Sequence, residues 1–234
     1  MSRYIKEEFI GLQGFFNSYE SNKYISTTVV ENSLKRVHKL ALSLLAWKIE
    51  FEGYKSKINS LYFDEAISDI VQTIPLFVQG FYKASFCLMR SAIENFYKFF
   101  ISNIGGVDLN GVRFTDSIYE QIKELTLVKS SSFLKDNFSL IKSVYSSLCL
   151  YVHSAESFCA FEEALRDFPK CDENEINNFN THFENYIKAV NNILCFSFNY
   201  IYYNMNHVNF ELVTSVLSKE TITVVRELDR KSIV

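Results

Sequence analysis

The sequence predicts an all-α protein, a helical bundle of long antiparallel helices, on three observations. Apolar residues recur at three- and four-residue steps through most of the chain, which is the period of one helix face. Glycine and proline are scarce, 7 and 2 among 234 residues, which leaves little material for loops. Aromatic residues, mostly Phe and Tyr, make up 16% of the chain, enough to fill a thick core without disulfides or a structural metal.

The first clear stripe is Val30, Leu34, Val37, Ala41, Leu44 and Phe51, broadened by Leu40 and Trp47, and it predicts a helix over about 27–57. A second stripe runs from Ile67 through Ile70, Ile74, Phe77, Phe81, Ala84, Leu88, Ala92 and Phe96 to Phe99, predicting helix over 64–103. Pro75 falls inside it. A proline lacks the amide hydrogen and clashes with the preceding turn, so it should kink this helix or split it in two.

Residues 104–115 (IGGVDLNGVRFT) interrupt the pattern with three glycines and an Asn-Gly turn signal, and read as a surface loop. No Gly-Lys-Ser/Thr ending follows, which excludes a phosphate-binding P-loop. Helical period resumes with Phe138, Ile141, Tyr145, Leu148 and Val152, and Pro169 marks the next break. Asp172-Glu-Asn-Glu175 then has the form of a capping box, with Asp172 accepting from the third helical amide and Glu175 reaching back. It opens a stripe of Phe179, Phe183, Tyr186, Val190, Leu194, Phe198 and Ile201. Thr221 to Val225 is β-branched, so the segment 212–228 reads equally as strand or short helix.

Charge and cysteine usage narrow the class. A net charge of −3 without a long Lys/Arg run does not advertise a nucleic-acid binder, whose affinity rests on phosphate contacts. The five dispersed cysteines form no Cys-x-x-Cys pair, which argues against a zinc ribbon and a disulfide framework. The acidic N-terminus does not resemble a signal peptide. The longest stretch without Asp, Glu, Lys or Arg, 189–210, contains six Asn and a His, too polar for hydrocarbon. These features predict a cytoplasmic protein with no membrane contact, no cofactor and no metal.

Two helix faces carry candidate chemistry. Arg90 and Glu94 lie four residues apart within an otherwise apolar run, and Tyr145, Cys149 and His153 share a face by the same spacing. Packing the two helices together would bring Arg90, Glu94, Tyr145 and His153 to one place. Burying such groups is costly unless they pair, so they form either a satisfied polar network that fixes helix register or a functional pocket. A Cys149/His153 nucleophile pair has workable spacing, yet Cys149 sits among leucines, where a thiol is ordinarily inert. A di-iron site needs Glu-x-x-His on two helices, and none of the four histidines has Glu three residues before it. The rings of Phe196, Phe198, Tyr200, Tyr202 and Tyr203 cannot all face one side of a helix. Some must meet another helix or a second subunit.

The segments Leu88-Met-Arg-Ser-Ala-Ile-Glu-Asn-Phe-Tyr97 and Tyr145-Ser-Ser-Leu-Cys-Leu-Tyr-Val-His-Ser154 resemble the two signature helices of certain HEPN-like bacterial proteins. Those relatives carry an Arg-Ser-x-x-Glu core and a later Tyr-x-x-Leu-Ser-x-x-Val-His pattern, matched here except that Cys149 replaces the serine. The resemblance covers 64–154. It implies a single helical domain over 1–234, with a HEPN-like core at 64–206 and the helices of 1–58 and the segment 207–234 packed on it. It further implies a homodimer in a bacterial antiviral defence, toxin–antitoxin or stress module, with a partner protein from the same operon. Many such proteins are metal-independent ribonucleases with an Arg-x4–6-His motif. Here the positions five to seven before His153 are Leu148, Ser147 and Ser146, so an RNA-cleaving site would need Arg90 to stand in. Arg90 would then hold phosphate, His153 would act as acid and base, and Glu94 and Tyr145 would stand beside them. A purely structural helical adaptor is the remaining alternative.

Overall fold

The computed structural model describes residues 3–18, 28–109, 116–152 and 172–232, and among these every regular element is a helix. In chain order they are α1 (Arg3–Ser18), α2 (Thr28–Gly53), α3 (Leu61–Val78), α4 (Tyr82–Ile104), α5 (Asp116–Glu124) and α6 (Thr126–Lys129). Then come α7 (Ser132–Val152), α8 (Glu173–Ser197), α9 (Asn199–Tyr203), α10 (His207–Thr214) and α11 (Lys219–Ser232).

The stripe expected over 64–103 is two helices, and proline is not what divides them. Pro75 lies within α3. The chain breaks at Gly80, whose φ of 79° is open to glycine at little steric cost. Two amides close the helix end: Gly80 donates to the Phe77 carbonyl at 3.0 Å and Phe81 to the Leu76 carbonyl at 2.8 Å. This is the glycine-terminated Schellman pattern, which satisfies carbonyls that the helix end would leave bare. The glycine supplies a stop that the proline does not.

The first predicted helix covers its whole stripe but is slightly shorter than its expected range, ending at Gly53, and the last turn of that range is a loop. α5 and α6 are elements that apolar period did not reveal, because one spans only nine residues and the other four. The Thr221–Val225 segment lies within α11; Val225 is buried, and tertiary packing overrides the strand propensity.

Asp172 caps α8 as its sequence suggests, its Oδ1 accepting from the amides of Asn174 at 2.9 Å and Glu175 at 3.3 Å. The amide of Asp172 itself donates to Tyr82 Oη at 3.1 Å, so a tyrosine opening α4 takes the role the box pattern gives to Glu175. The predicted aromatic stripe then breaks at Phe198 (φ −118°, ψ 40°), and Ile201 belongs to α9.

α4 is the hub of the bundle, packing against α3, α7, α8 and α5. Phe86, Met89, Ala92, Ile93, Phe96, Tyr97, Phe99 and Phe100 along it are fully buried. Rings join the helices: Phe51 of α2, Phe63 of α3, Phe99 of α4 and Phe198 form one group with centroids 5.0–5.8 Å apart. Phe77 stacks on Phe179 of α8 at 4.3 Å, and Phe100 meets Phe138 of α7 edge-on at 4.8 Å. Trp47 and Phe51 of α2 belong to the same buried cluster.

Two polar side chains fasten the helices of this core. Asn191 of α8 is fully buried; its Nδ2 donates to Ser43 Oγ at 2.8 Å and to the Ile187 carbonyl at 2.9 Å. Its Oδ1 accepts from Trp47 Nε1 at 3.2 Å. The asparagine thereby fixes the register of α8 on α2, since any slip would leave these groups unsatisfied. Glu50 ties α2 to α10 in the same manner, one carboxylate oxygen accepting from Asn206 N and Nδ2 and from Asn209 Nδ2 at 2.7–3.2 Å. No helix among the described residues is long and apolar enough to cross a membrane.

Candidate functional site

The structure brings together three of the four residues singled out from the sequence. Arg90 and Glu94 stand one turn apart on α4, with Arg90 Nη2 at 3.1 Å from Glu94 Oε1. Tyr145 reaches across from α7: its Oη donates to Glu94 Oε1 at 3.0 Å and accepts from Arg90 Nε at 3.4 Å. The guanidinium carbon also lies 5.5 Å from the centroid of the Tyr145 ring, a cation–π contact. His153, the fourth residue, lies outside the described residues.

The spacing explains the geometry. Residues four apart share a helix face, and both side chains of α4 tilt toward the turn that Tyr145 covers. The side chains of Arg90 and Glu94 remain 27% and 24% exposed, so this is a half-buried seam and not a sealed core pair. Lys142 Nζ lies 5.2 Å from the centroid of the Tyr145 ring as well.

Electrostatics keep the network in one protonation state. Partial burial alone would lower the Arg90 pKa, but its hydrogen bond to Tyr145 and the neighbouring Glu94 carboxylate outweigh it and hold the guanidinium above its ordinary value. Burial first, and the Glu94 carboxylate second, push the Tyr145 hydroxyl well above the usual phenol range, although the Arg90 hydrogen bond opposes this. Tyr145 therefore stays a donor to Glu94 at neutral pH. As arranged, the cluster can hold an anion at the exposed edge of Arg90. Neither Arg90 nor Tyr145 gives up its proton near pH 7.

The neighbouring positions of the same motif are engaged as well. Asn95 Nδ2 donates to Asp69 Oδ2 of α3 at 3.1 Å, and Ser91 hydrogen-bonds the same carboxylate. Burial raises the Asp69 pKa, the Ser91 and Asn95 bonds lower it, and nearby Glu65 raises it again; the net direction is upward. The Ala92 carbonyl accepts from Tyr186 Oη of α8 at 2.9 Å, and Ile93 is fully buried. Arg90 to Asn95 thus binds α4 to three helices: α7 through Arg90 and Glu94, α3 through Ser91 and Asn95, and α8 through Ala92. Sequence reasoning missed Asp69 and Tyr186. The one available signal was the second i, i+4 pair, Ser91 and Asn95, on the adjacent face.

Cys149, one turn beyond Tyr145, is half-buried and free, and Cys87 is exposed and free. Cys195 is fully buried, and burial pushes its thiol well above the usual range, which leaves it inert. Cys159 and Cys171 lie outside the described residues. Among the described residues no group of three His, Cys, Asp or Glu side chains is placed to hold a metal ion. No family profile, curated protein or solved structure matches this chain.

Proposed function

We propose that the chain is a HEPN-like helical interaction module of a bacterial defence or stress system, working in the cytoplasm through self-association and a partner protein. The motif resemblance of 88–97 and 145–154 supplies the family, and the contact order of α4 and α7, with Phe100 on Phe138 and Phe86 on Tyr151, supports an antiparallel core. One observation carries the choice of interaction over catalysis. The motif residues Arg90 and Glu94 are engaged by Tyr145, and their neighbours by α3 and α8, so the motif is occupied in holding helices together. Tyr200 and Tyr203, 69% and 36% exposed, are surplus aromatics of the kind that support a protein interface.

Light scattering on the purified chain at micromolar concentration tests this reading. A dimer mass that persists in Arg90→Gln, provided the variant folds, supports an interaction module; a monomer mass throughout removes self-association from the account.

A second reading, a metal-independent endoribonuclease, is favoured by one specific feature. The Arg90 guanidinium keeps an exposed edge beside the last turns of α7, the helix that leads directly into His153. Arg90 would bind phosphate bidentately and His153 would move the proton.

A further inference from the structure

α1 lies on α2 by a small contact that is built around a histidine. Ile5 and Phe9 are its buried side chains, with Leu12 partly buried beside them, and the Phe9 ring meets the His38 ring edge-on at a centroid distance of 5.8 Å. Lys35 Nζ also sits 5.6 Å from the centroid of the Phe9 ring. His38 is 8% exposed, and its Nδ1 is buried with no hydrogen-bond partner among the described residues.

The charged side chains of the helices packed here are engaged with one another or exposed. On α2, Lys35 is tied to Glu31 and Lys39 donates to the Ser215 carbonyl, and both are cations. On α1, Arg3 and Glu7 pair with each other at the surface, and Lys6 and Glu8 are exposed. From α8, Glu184 is taken by Arg36 and Lys188. A neutral imidazole can leave Nδ1 bare at modest cost. An imidazolium needs an acceptor for Nδ1–H, and an orphaned charged donor in an apolar contact is expensive.

We propose that α1 is a pH-released strap: protonation of His38 breaks its seat against Phe9 and lets α1 lift from α2. The consequence is a conditional surface, because the face of α2 around Lys35 and His38 is covered by α1 at neutral pH and uncovered in acid. Burial lowers the His38 pKa from its ordinary 6.5, in keeping with this. The sign follows: the neutral form is favoured when α1 is seated, so seating is fully present above about pH 6.5 and is lost as pH falls through the depressed value.

Hydrogen exchange of the full chain at pH 7.5 and pH 5.5, expressed as protection relative to intrinsic rates at each pH, reads the strap directly. The α1 amides of residues 3–18 should lose at least threefold in protection at the lower pH, while α10 keeps its own. His38→Phe should remove the α1 response, and His38→Gln, which keeps polarity without titration, should do the same if the phenylalanine variant fails to fold. His182→Phe, which alters the other histidine with a burial-lowered pKa, should leave the α1 response intact. Equal α1 protection at both pH values in the wild-type chain overturns the proposal, as does an undiminished fall in either folded His38 variant.

Discussion

Tyr145 Oη accepts from Arg90 Nε and donates to Glu94 Oε1, so one hydroxyl on α7 spans both charged side chains of α4. Removing it by Tyr145→Phe keeps the ring over the guanidinium and leaves the Arg90–Glu94 ion pair in place. The expected loss is about 1 kcal/mol, the net worth of such hydrogen bonds, measured by urea unfolding. Arg90→Ala should cost about 1–2 kcal/mol. Breaking a fully buried ion pair costs roughly 3–5 kcal/mol, but the quarter exposure of both side chains lets water take up much of the deficit.

A larger effect belongs to Asn191. Asn191→Ala strips the acceptor from Trp47 Nε1 and a donor from Ser43 Oγ in a site with no exposure. Two stranded polar groups and a small cavity together should cost about 2–4 kcal/mol, more than any substitution in the Arg90 cluster. An unfolding midpoint in denaturant that moves less for Asn191→Ala than for Arg90→Ala contradicts this ordering.

The α3–α4 junction separates glycine from proline. Gly80→Ala forces a side chain into a left-handed conformation and should destabilise by about 1 kcal/mol or more. Pro75→Ala restores a helix donor and should leave stability unchanged or raised, with the break still at residue 80. Thermal unfolding of the two variants reads the difference, and a destabilised Pro75→Ala beside a neutral Gly80→Ala would reverse the assignment.

Asp69 gives a pH signature of the opposite kind to a salt-bridged carboxylate. Its pKa in the folded chain is raised, so the folded state favours the protonated acid and the ionised form is penalised at neutral pH. That penalty is present above the folded-state pKa and vanishes as pH falls toward the unfolded value of 3.8. Asp69→Asn keeps an oxygen to accept from Asn95 and carries no charge. It should raise the melting temperature at pH 7, with the gain shrinking as pH falls through the raised folded-state pKa and absent below the unfolded value of 3.8.

How far the sequence reached depends on the kind of signal. The Asp172 cap and the stripe from Phe179 to Leu194 were legible because capping chemistry and helical period are local. The meeting of Arg90, Glu94 and Tyr145 was legible too, since two i, i+4 faces inside apolar runs have few places to go. The Gly80 stop was overshadowed by Pro75, although Gln79-Gly80 sits where the left-handed cap is required. Asp69 with Ser91 and Asn95, Tyr186 on the Ala92 carbonyl, and Asn191 between Ser43 and Trp47 are pairings between helices distant in sequence. Apart from the i, i+4 spacing of Ser91 and Asn95, no local pattern marks them. The six asparagines of 189–210 were read only as too polar for a membrane, whereas Asn191, Asn206 and Asn209 are helix fasteners. His153 lies outside the described residues, so its role stays with the proposal.

The central proposal is that Arg90, Glu94 and Tyr145 serve to hold helices together and not to cleave RNA. It is tested most directly by incubating the purified chain with single-stranded RNA in the presence of a metal chelator, beside folded His153→Ala and Tyr145→Phe variants. The account predicts no cleavage by the wild-type chain above that of His153→Ala, and unfolding free energies lowered in Tyr145→Phe alone. Metal-independent cleavage by the wild-type chain, abolished in a His153→Ala variant of unchanged stability, would contradict it and establish the site as catalytic.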